Sequence, residues 1–319
     1  MTADPDVVVL RQNIHGMAPA EYLRALEARL PDREVAYAAT PEAERELLPD
    51  AEVVAGLDAD EALLDRAANL RLFACSYAGV DHLPLDAMRE RGVAVTNASG
   101  VHAPNVSEYA LGAILTFTRE FLESRRRQER REWRSHQTCE LAGSTVAVVG
   151  MGPIGRSVVD RLDAFDVHTV GVRYIPEKGG PTDEVYGYDE LYEAIGDAAY
   201  VVLACPLTDA TEHLVDAEAF VTMPPDSVLV NVARGGVVDT DALLDALRGN
   251  SIRGAALDVT DPEPLPEDHE LWGFENVLIT PHNAGHTPEY FERLADIVAD
   301  AVHAAEESGE WADLPNQVV

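Results

Sequence analysis

Val148 to Gly155 reads VVGMGPIG, entered by the apolar run Thr145 to Val149 and left by the helical pattern Arg156 to Phe165. Strand, glycine turn and helix in that order are the context a dinucleotide-binding G-x-G-x-x-G needs. Gly150 permits the tight turn, Gly152 lets a pyrophosphate approach the backbone, and Gly155 lets helix and strand pack closely. Pro153 and Ile154 open the helix, whose N-terminal N–H groups and positive dipole end suit phosphate. A second apolar run, His168 to Val172, follows. Where an acid would hold the ribose 2′-hydroxyl of NAD(H), the chain has Arg173 instead. Arg173, with Tyr174 and the single lysine Lys178 in the loop YIPEKGG, suits the 2′-phosphate of NADP(H).

Short apolar runs alternate with helical patterns along the whole chain, which is the signature of parallel α/β sheets. Strands are expected at Val7 to Leu10, Glu34 to Ala38, Val53 to Gly56, Leu72 to Ser76 and Ala94 to Thr96. After the glycine turn they recur at Ala199 to Ala204, Ser227 to Asn231, Gly254 to Asp258 and Val277 to Thr280. Helices fall between them, such as Ala18 to Leu30 and Asp60 to Ala67, and one long amphipathic helix is expected from Asn105 to Arg130. The glycine turn lies mid-chain, and a final helix, Glu289 to Glu307, comes after the second sheet is complete. The expected fold is therefore α/β, two Rossmann-like or flavodoxin-like parallel-sheet domains with a cleft between them. Residues 1–98 plus 288–319 would form the substrate domain, and 99–287 the dinucleotide-binding domain. Closure of the cleft would exclude water during transfer.

The chain carries 57 acids against 24 lysines and arginines, a net charge of −33 over 319 residues. Such a surface repels nucleic acid and anionic membranes. With 46% hydrophobic residues in periodic register, the acids mark a folded, not a disordered, chain. Acid excess with almost no lysine resembles the proteins of salt-in halophiles. Cys75, Cys139 and Cys205 have no metal-ligand spacing, so reduced, mostly buried thiols and no metal are expected. MTADPDVVVL has no basic or apolar leader region, and a cytoplasmic location is expected. The cluster Arg125, Arg126, Arg127, Arg130, Arg131 and Arg134 is out of character for the chain; pairing with acids inside the helix or across a dimer interface explains it best.

Carbonyl reduction by a nicotinamide needs a cation for the substrate carboxylate, an acid for the oxygen and a partner to tune that acid. Three candidates each follow a predicted strand, at the carboxyl edge where ligands of open α/β sheets bind. Arg234, in NVARGGVVD, offers a planar fork. Glu263 stands in ALDVTDPEPLP, and His282 in TPHNAGHT offers a group that titrates near neutrality.

Taken in order, VVGMGPIG, CPLT, NVARGGVVD, ALDVTDPEPLP and NVLITPHNAG resemble the D-isomer-specific 2-hydroxyacid dehydrogenases, over Leu72 to His286. The resemblance implies Arg234 as carboxylate anchor, His282 as acid/base and Glu263 as its partner. SYAGVDHLPLD is similar to the family's substrate loop, with the backbone N–H groups of Tyr77, Ala78 and Gly79 gripping the carboxylate. NVSEYALGAIL is similar to the start of its dimerisation helix, so a homodimer through residues near 105–130 is implied. Implied cofactor contacts are Cys205, Pro206, Leu207 and Thr211 under the adenosine half, Ala233 to Gly235 (Arg234 among them) near the nicotinamide ribose, and His282. Asp258 would accept from the carboxamide. Arg173 departs from the commoner acid and favours NADP(H) over NAD(H).

The expected activity is NADP(H)-preferring reduction of 2-oxo acids to D-2-hydroxy acids. Alternatives are a glyoxylate/hydroxypyruvate reductase, a phosphoglycerate dehydrogenase without a regulatory tail, and a non-enzymatic NAD(P)-sensing protein on the same fold; Trp133 is expected to pack or approach a partner's cleft. Loops including Ile14 to Met17 and Val54 to Gly56 would set side-chain preference, with a lean toward apolar 2-oxo acids.

The charge makes a prediction of its own. At molar salt the Debye length is about 3 Å and the self-repulsion is screened; in dilute buffer it is not. Dialysis from molar salt into dilute buffer should abolish far-ultraviolet circular dichroism or activity, and full retention of both would exclude salt dependence.

Overall fold

The computed structural model describes residues 5–12, 14 and 16–319. The chain divides into two compact units, Met1–Val101 with His286–Val319, and His102–Gly285. In chain order the first elements are β1 (Val7–Val9), α1 (Pro19–Arg29), β2 (Val35–Tyr37), α2 (Pro41–Leu47), β3 (Val53–Gly56), α3 (Glu61–Arg66), β4 (Leu72–Cys75), α4 (Leu85–Glu90) and β5 (Ala94–Thr96). The second unit contributes α5 (Ala103–Thr118), α6 (Phe121–Glu129), β6 (Thr145–Val149), α7 (Pro153–Leu162), β7 (His168–Val172), β8 (Glu184–Tyr186) and α8 (Leu191–Ile195). It ends with β9 (Tyr200–Leu203), α9 (Ala217–Thr222), β10 (Val228–Asn231), α10 (Thr240–Arg248), β11 (Gly254–Leu257) and β12 (Val277–Ile279), before α11 (Tyr290–Ser308) rejoins the first unit.

Among the described residues the first sheet has the order β2-β1-β3-β4-β5 and the second β12-β11-β10-β9-β6-β7-β8. Every paired neighbour is parallel, as the strand–helix alternation predicts. Chain order reverses between β1 and β3 in one sheet and between β6 and β9 in the other. Those reversals open crevices at the carboxyl edges.

Period-two alternation sends successive side chains to opposite faces. Val146 and Val148 of β6 pack with Ala110, Ile114 and Leu162 from α5 and α7. Ala147 and Val149 pack on the other face with Ile195, Phe220 and Leu247 from α8, α9 and α10. In the first unit Val7 and Val9 join Leu26 of α1 and Leu294 and Val298 of α11, while Val8 and Phe73 join Leu64 and Met88 of α3 and α4. Both sheets are thus covered on both faces, which is why their strands read as continuous apolar runs. Helix starts are written locally: Asp60, Asp216 and Asp239 accept from the N–H three residues on, at 2.7, 2.9 and 3.1 Å.

Three expectations change. The single helix expected from Asn105 to Arg130 is two, because α5 ends at Thr118 and Glu120 takes the left-handed conformation at φ 53°. The cause is distant in sequence. Arg253 donates to the Phe117 carbonyl, an acceptor a continuing helix would use, and pairs with Glu120 at 2.6 Å. Val53 to Gly56 is the strand expected, β3, and with Val54 and Ala55 fully buried the segment is not the specificity loop also expected at Val54 to Gly56. The loop Ile14 to Met17 includes position 15, which lies outside the described residues. An edge strand absent from the sequence reading, β8, pairs with β7.

The arginine cluster is answered largely within its own segment: Arg125 by Glu129 at 3.0 Å, Arg126 and Arg127 by Glu123 at 3.0 and 2.5 Å, and Arg130 by Glu132 at 3.4 Å. Among the described residues no helix is long and apolar enough to cross a membrane. Replacement of Arg253 removes one donor from the Phe117 carbonyl and the ion-pair partner of the Glu120 carboxylate together. Arg253→Ala should therefore cost about 1–3 kcal/mol, read as a lower melting temperature in molar salt. An unchanged melting temperature would show that another group ends α5.

Candidate active site

The glycine turn sits in the second sheet's crevice, between the carboxyl ends of β6 and β9. Gly150 has φ 105°, and a Cβ there would stand 2.6 Å from the main chain of Ala204 and Cys205. A Cβ at Gly155 would overlap the Gly150 carbonyl, so turn and helix are in main-chain contact. Gly152 is the opposite case, with nothing within 4 Å of its would-be Cβ. The turn is closed on its protein side and open on the other. With Gly152 as N-cap, α7 has no side-chain cap, which leaves its first N–H groups to an outside acceptor. This cradle fits a dinucleotide pyrophosphate.

Arg173 follows β7, its N–H donating to Tyr186 O at 3.0 Å and its guanidinium to the Gly179 carbonyl. The loop so closed carries Tyr174, 73% exposed, and Lys178, also exposed. Burial pushes the Tyr188 phenol up to about 12, with the Arg173 charge pulling the other way. Tyr188 lies 6.2 Å from the Tyr174 ring. Under the same crevice Cys205 is buried and its thiol is pushed up to about 11, which makes it a packing group and no nucleophile. Pro206 follows it, and Leu207 is 45% exposed. Thr211 turns inward: its buried hydroxyl donates to Pro206 O at 2.6 Å and accepts from Thr208 N at 2.8 Å, so it shapes the loop.

The structure brings Glu263 and His282 together, with Nδ1 2.7 Å from Glu263 Oε1 and both side chains near half-exposed. The pairing leaves Nε2 as the ring nitrogen that can exchange a proton with a ligand. His282 adopts φ 54°, held by its N–H to Asp258 O at 2.8 Å and Thr280 O at 3.0 Å. Asp258, 3% exposed, braces the same turn: its carboxylate accepts from Thr280 Oγ1 at 2.6 Å, Asn283 N at 2.8 Å and Ala284 N at 2.9 Å. Tyr109 of α5 hydrogen-bonds the Thr280 hydroxyl at 2.7 Å.

Arg234 is exposed just beyond β10, its Nη1 donating to Ala233 O at 2.6 Å. The buried Asn231 clamps that turn, accepting from Ala233 N at 3.0 Å and donating to Arg234 O at 3.1 Å. Next in the chain, a Cβ at Gly235 would overlap the Thr260 carbonyl, so the Arg234 turn lies directly against the segment leading to Glu263. Thr240 and Thr260 hold that segment through Asp261 O and Pro262 O, at 3.0 and 2.9 Å. Asn231, Thr240, Thr280 and Tyr109 escaped the sequence reading. Asn231, Tyr109 and Thr280 carried a signal, their places inside NVARGG, NVSEYALGAIL and NVLITPHNAG; Thr240 carried none. Tyr77, Ala78 and Gly79 follow β4 and belong to the other unit, with Tyr77 46% exposed.

A cation, an acid–base pair and a phosphate cradle at one sheet edge are the parts of a hydride-transfer site. Comparison with known proteins gives the family. The family model for the D-isomer specific 2-hydroxyacid dehydrogenase NAD binding domain matches residues 111–284. A D-3-phosphoglycerate dehydrogenase from Methanocaldococcus jannaschii is 34% identical over 275 residues, 84% of this chain and 52% of that protein. The chain thus spans about half the length of that relative. A glyoxylate reductase from Thermofilum pendens is 37% identical over 75% of this chain and 73% of its own. A D-isomer specific 2-hydroxyacid dehydrogenase from Xanthobacter autotrophicus, solved with NADPH and MES, superposes with a TM-score of 0.78 at 26% identity, over 99% of this chain and 98% of that one. With more than half the chain inside the family model and relatives above 30% identity covering most of it, this protein belongs to the D-isomer specific 2-hydroxyacid dehydrogenases, a family of NAD(P)-dependent oxidoreductases.

Proposed function

We propose that the protein is an NADP(H)-preferring D-2-hydroxyacid dehydrogenase that reduces 2-oxo acids to D-2-hydroxy acids. The observation that carries this reading is the 2.7 Å contact between His282 and Glu263, with the segment leading to Glu263 packed against the Arg234 turn. When bound, the nicotinamide supplies a hydride for reduction and takes one up in oxidation. Gly150, Gly152, Pro153, Ile154 and Gly155 would hold its pyrophosphate, and Cys205 to Leu207 with Ala233 would line the rest.

Arg234 takes the substrate carboxylate in its planar fork. His282 gives its Nε2 proton to the carbonyl oxygen and recovers it when the alcohol is oxidised. Glu263, acceptor at Nδ1, fixes the tautomer and balances the imidazolium charge. The reduction consumes one proton, so its equilibrium shifts toward hydroxy acid about tenfold for each unit fall in pH. Tyr77, Ala78 and Gly79 remain the substrate loop proposed for the first unit.

The preference for NADP(H) is supported by Arg173 and Lys178 on one loop with no acid at the end of β7. The NADPH-bound relative from Xanthobacter autotrophicus supports it too. Small 2-oxo acids, glyoxylate among them, are supported by the named glyoxylate reductase. A homodimer through α5, α6 and the segment after them is supported by Trp133, 104% exposed, and Phe121, 56% exposed. The net charge of −33 supports activity in concentrated salt.

Absorbance at the nicotinamide band, with glyoxylate, pyruvate and branched 2-oxo acids in molar salt, tests the assignment. NADPH should be oxidised well ahead of NADH. Arg173→Ala should weaken NADPH about 10–100-fold and leave NADH unchanged, since a hydrogen bond to a charged group contributes about 1.5–3 kcal/mol. Equal use of both cofactors would reduce Arg173 to a loop clamp. His282→Ala should lower turnover about 10²–10⁴-fold; wild-type turnover in that variant would remove His282 from the chemistry, and no turnover of any 2-oxo acid by the native chain would favour a cofactor-sensing protein.

A further inference from the structure

The loop after β4 has spent its carbonyls on the protein. Tyr290 Oη donates to Ser76 O at 2.5 Å, the Ala98 N–H to Tyr77 O at 3.0 Å, and Asn97 Nδ2 to Ala78 O at 2.7 Å. A trans peptide is planar, with its C=O and the next N–H pointing in opposite directions. Pinning the carbonyls of Ser76, Tyr77 and Ala78 therefore aims the N–H groups of Tyr77, Ala78 and Gly79 the other way. Tyr77 N has only the weak acceptor Cys75 Sγ, at 3.5 Å. Among the described residues the Ala78 and Gly79 N–H groups have no intramolecular acceptor. A Cβ at Gly79 would meet nothing within 4 Å, so the loop is open there.

Both side-chain pins are themselves rigid. Tyr290 is 1% exposed at the start of α11, edge-on to Phe291 at 6.0 Å, and Phe291 stacks on Tyr22 of α1 at 5.1 Å. Burial pushes the Tyr290 phenol well up, which keeps it a donor. Asn97 is fixed from two sides: its Oδ1 accepts from Ser99 N at 3.1 Å, and Asn316 bonds its main chain at 3.1 and 3.0 Å. Ser76 is fully buried, so its carbonyl has no water to turn to.

We propose that Tyr290 and Asn97 are positioning residues for a substrate carboxylate: by holding the Ser76 and Ala78 carbonyls they preform the N–H groups of Tyr77 to Gly79 as an anion-binding array. The assignment rests on the 2-oxo acid reading above. Fixed donors cost nothing to reorganise when an anion arrives, so their loss appears in substrate binding before it appears in chemistry.

The test is steady-state kinetics on the full chain in molar salt with Tyr290→Phe, a variant that removes only the hydroxyl. At saturating NADPH, KM for glyoxylate or pyruvate and the inhibition constant of oxamate should rise together, roughly tenfold for one hydrogen bond. Turnover should stay within about threefold, and KM for NADPH should not move. Asn97→Leu, close in volume and uncharged, removes the donor to Ala78 O without adding a charge and should show the same split; it decides alone if Tyr290→Phe does not fold. Unchanged KM and oxamate binding in both folded variants would overturn the proposal. So would a joint fall in turnover, NADPH affinity and melting temperature, the mark of a merely structural role. A native chain that turns over no 2-oxo acid and binds no oxamate defeats the functional reading itself, and this assignment with it.

Discussion

At Gly235 two stretches of main chain touch with no room for a side chain between them. The turn that carries Arg234 is thereby pressed on the segment that leads to Glu263, and Glu263 in turn fixes the ring of His282. Two chemically different side chains, Arg234 and Glu263, share one backbone support, and the third, His282, is tied to it through Glu263. The same device recurs at the cofactor cradle, where Gly155 meets Gly150 and Gly150 meets Ala204. Main-chain contact varies less with thermal motion than a chain of long side chains, and a site assembled this way needs little reorganisation when ligands bind.

Buried polar groups finish what the glycines begin. Asp258 and Asn231 lie at the ends of adjacent parallel strands; Asn231 spends its side chain on the loop that follows its own strand, and Asp258 on the turn after the neighbouring β12. Three bonds to the turn around His282 make Asp258 a brace for that turn. A carboxylate at 3% exposure is tolerable because each donor is already in place. The exposed groups of the site are the ones left for a ligand, and the enclosed ones hold them still.

The two parallel sheets were legible because burial on both faces leaves unbroken apolar runs, and Val146 to Val149 is such a run. The glycine turn was legible because its geometry admits so few residues. Arg234, Glu263 and His282 stood out only as members of an ordered set of motifs. What stayed hidden depends on partners distant in sequence. The break at Glu120 is made by Arg253, more than a hundred residues away, and no local pattern near Thr118 announces it. Tyr290 looked like one more apolar residue of the last helix, since a pattern records that a ring is buried and not where its oxygen points.

The scarcity of lysine has a chemical consequence. Lys178 is the one lysine in the chain, and it stands exposed on the loop closed by Arg173 and Gly179. An amine-selective reagent that would label an ordinary enzyme at a dozen places has a single side-chain target here. A fluorophore or acyl group could be installed at one defined position, beside the cradle formed by Gly150 to Gly155, with no mutation of the chain.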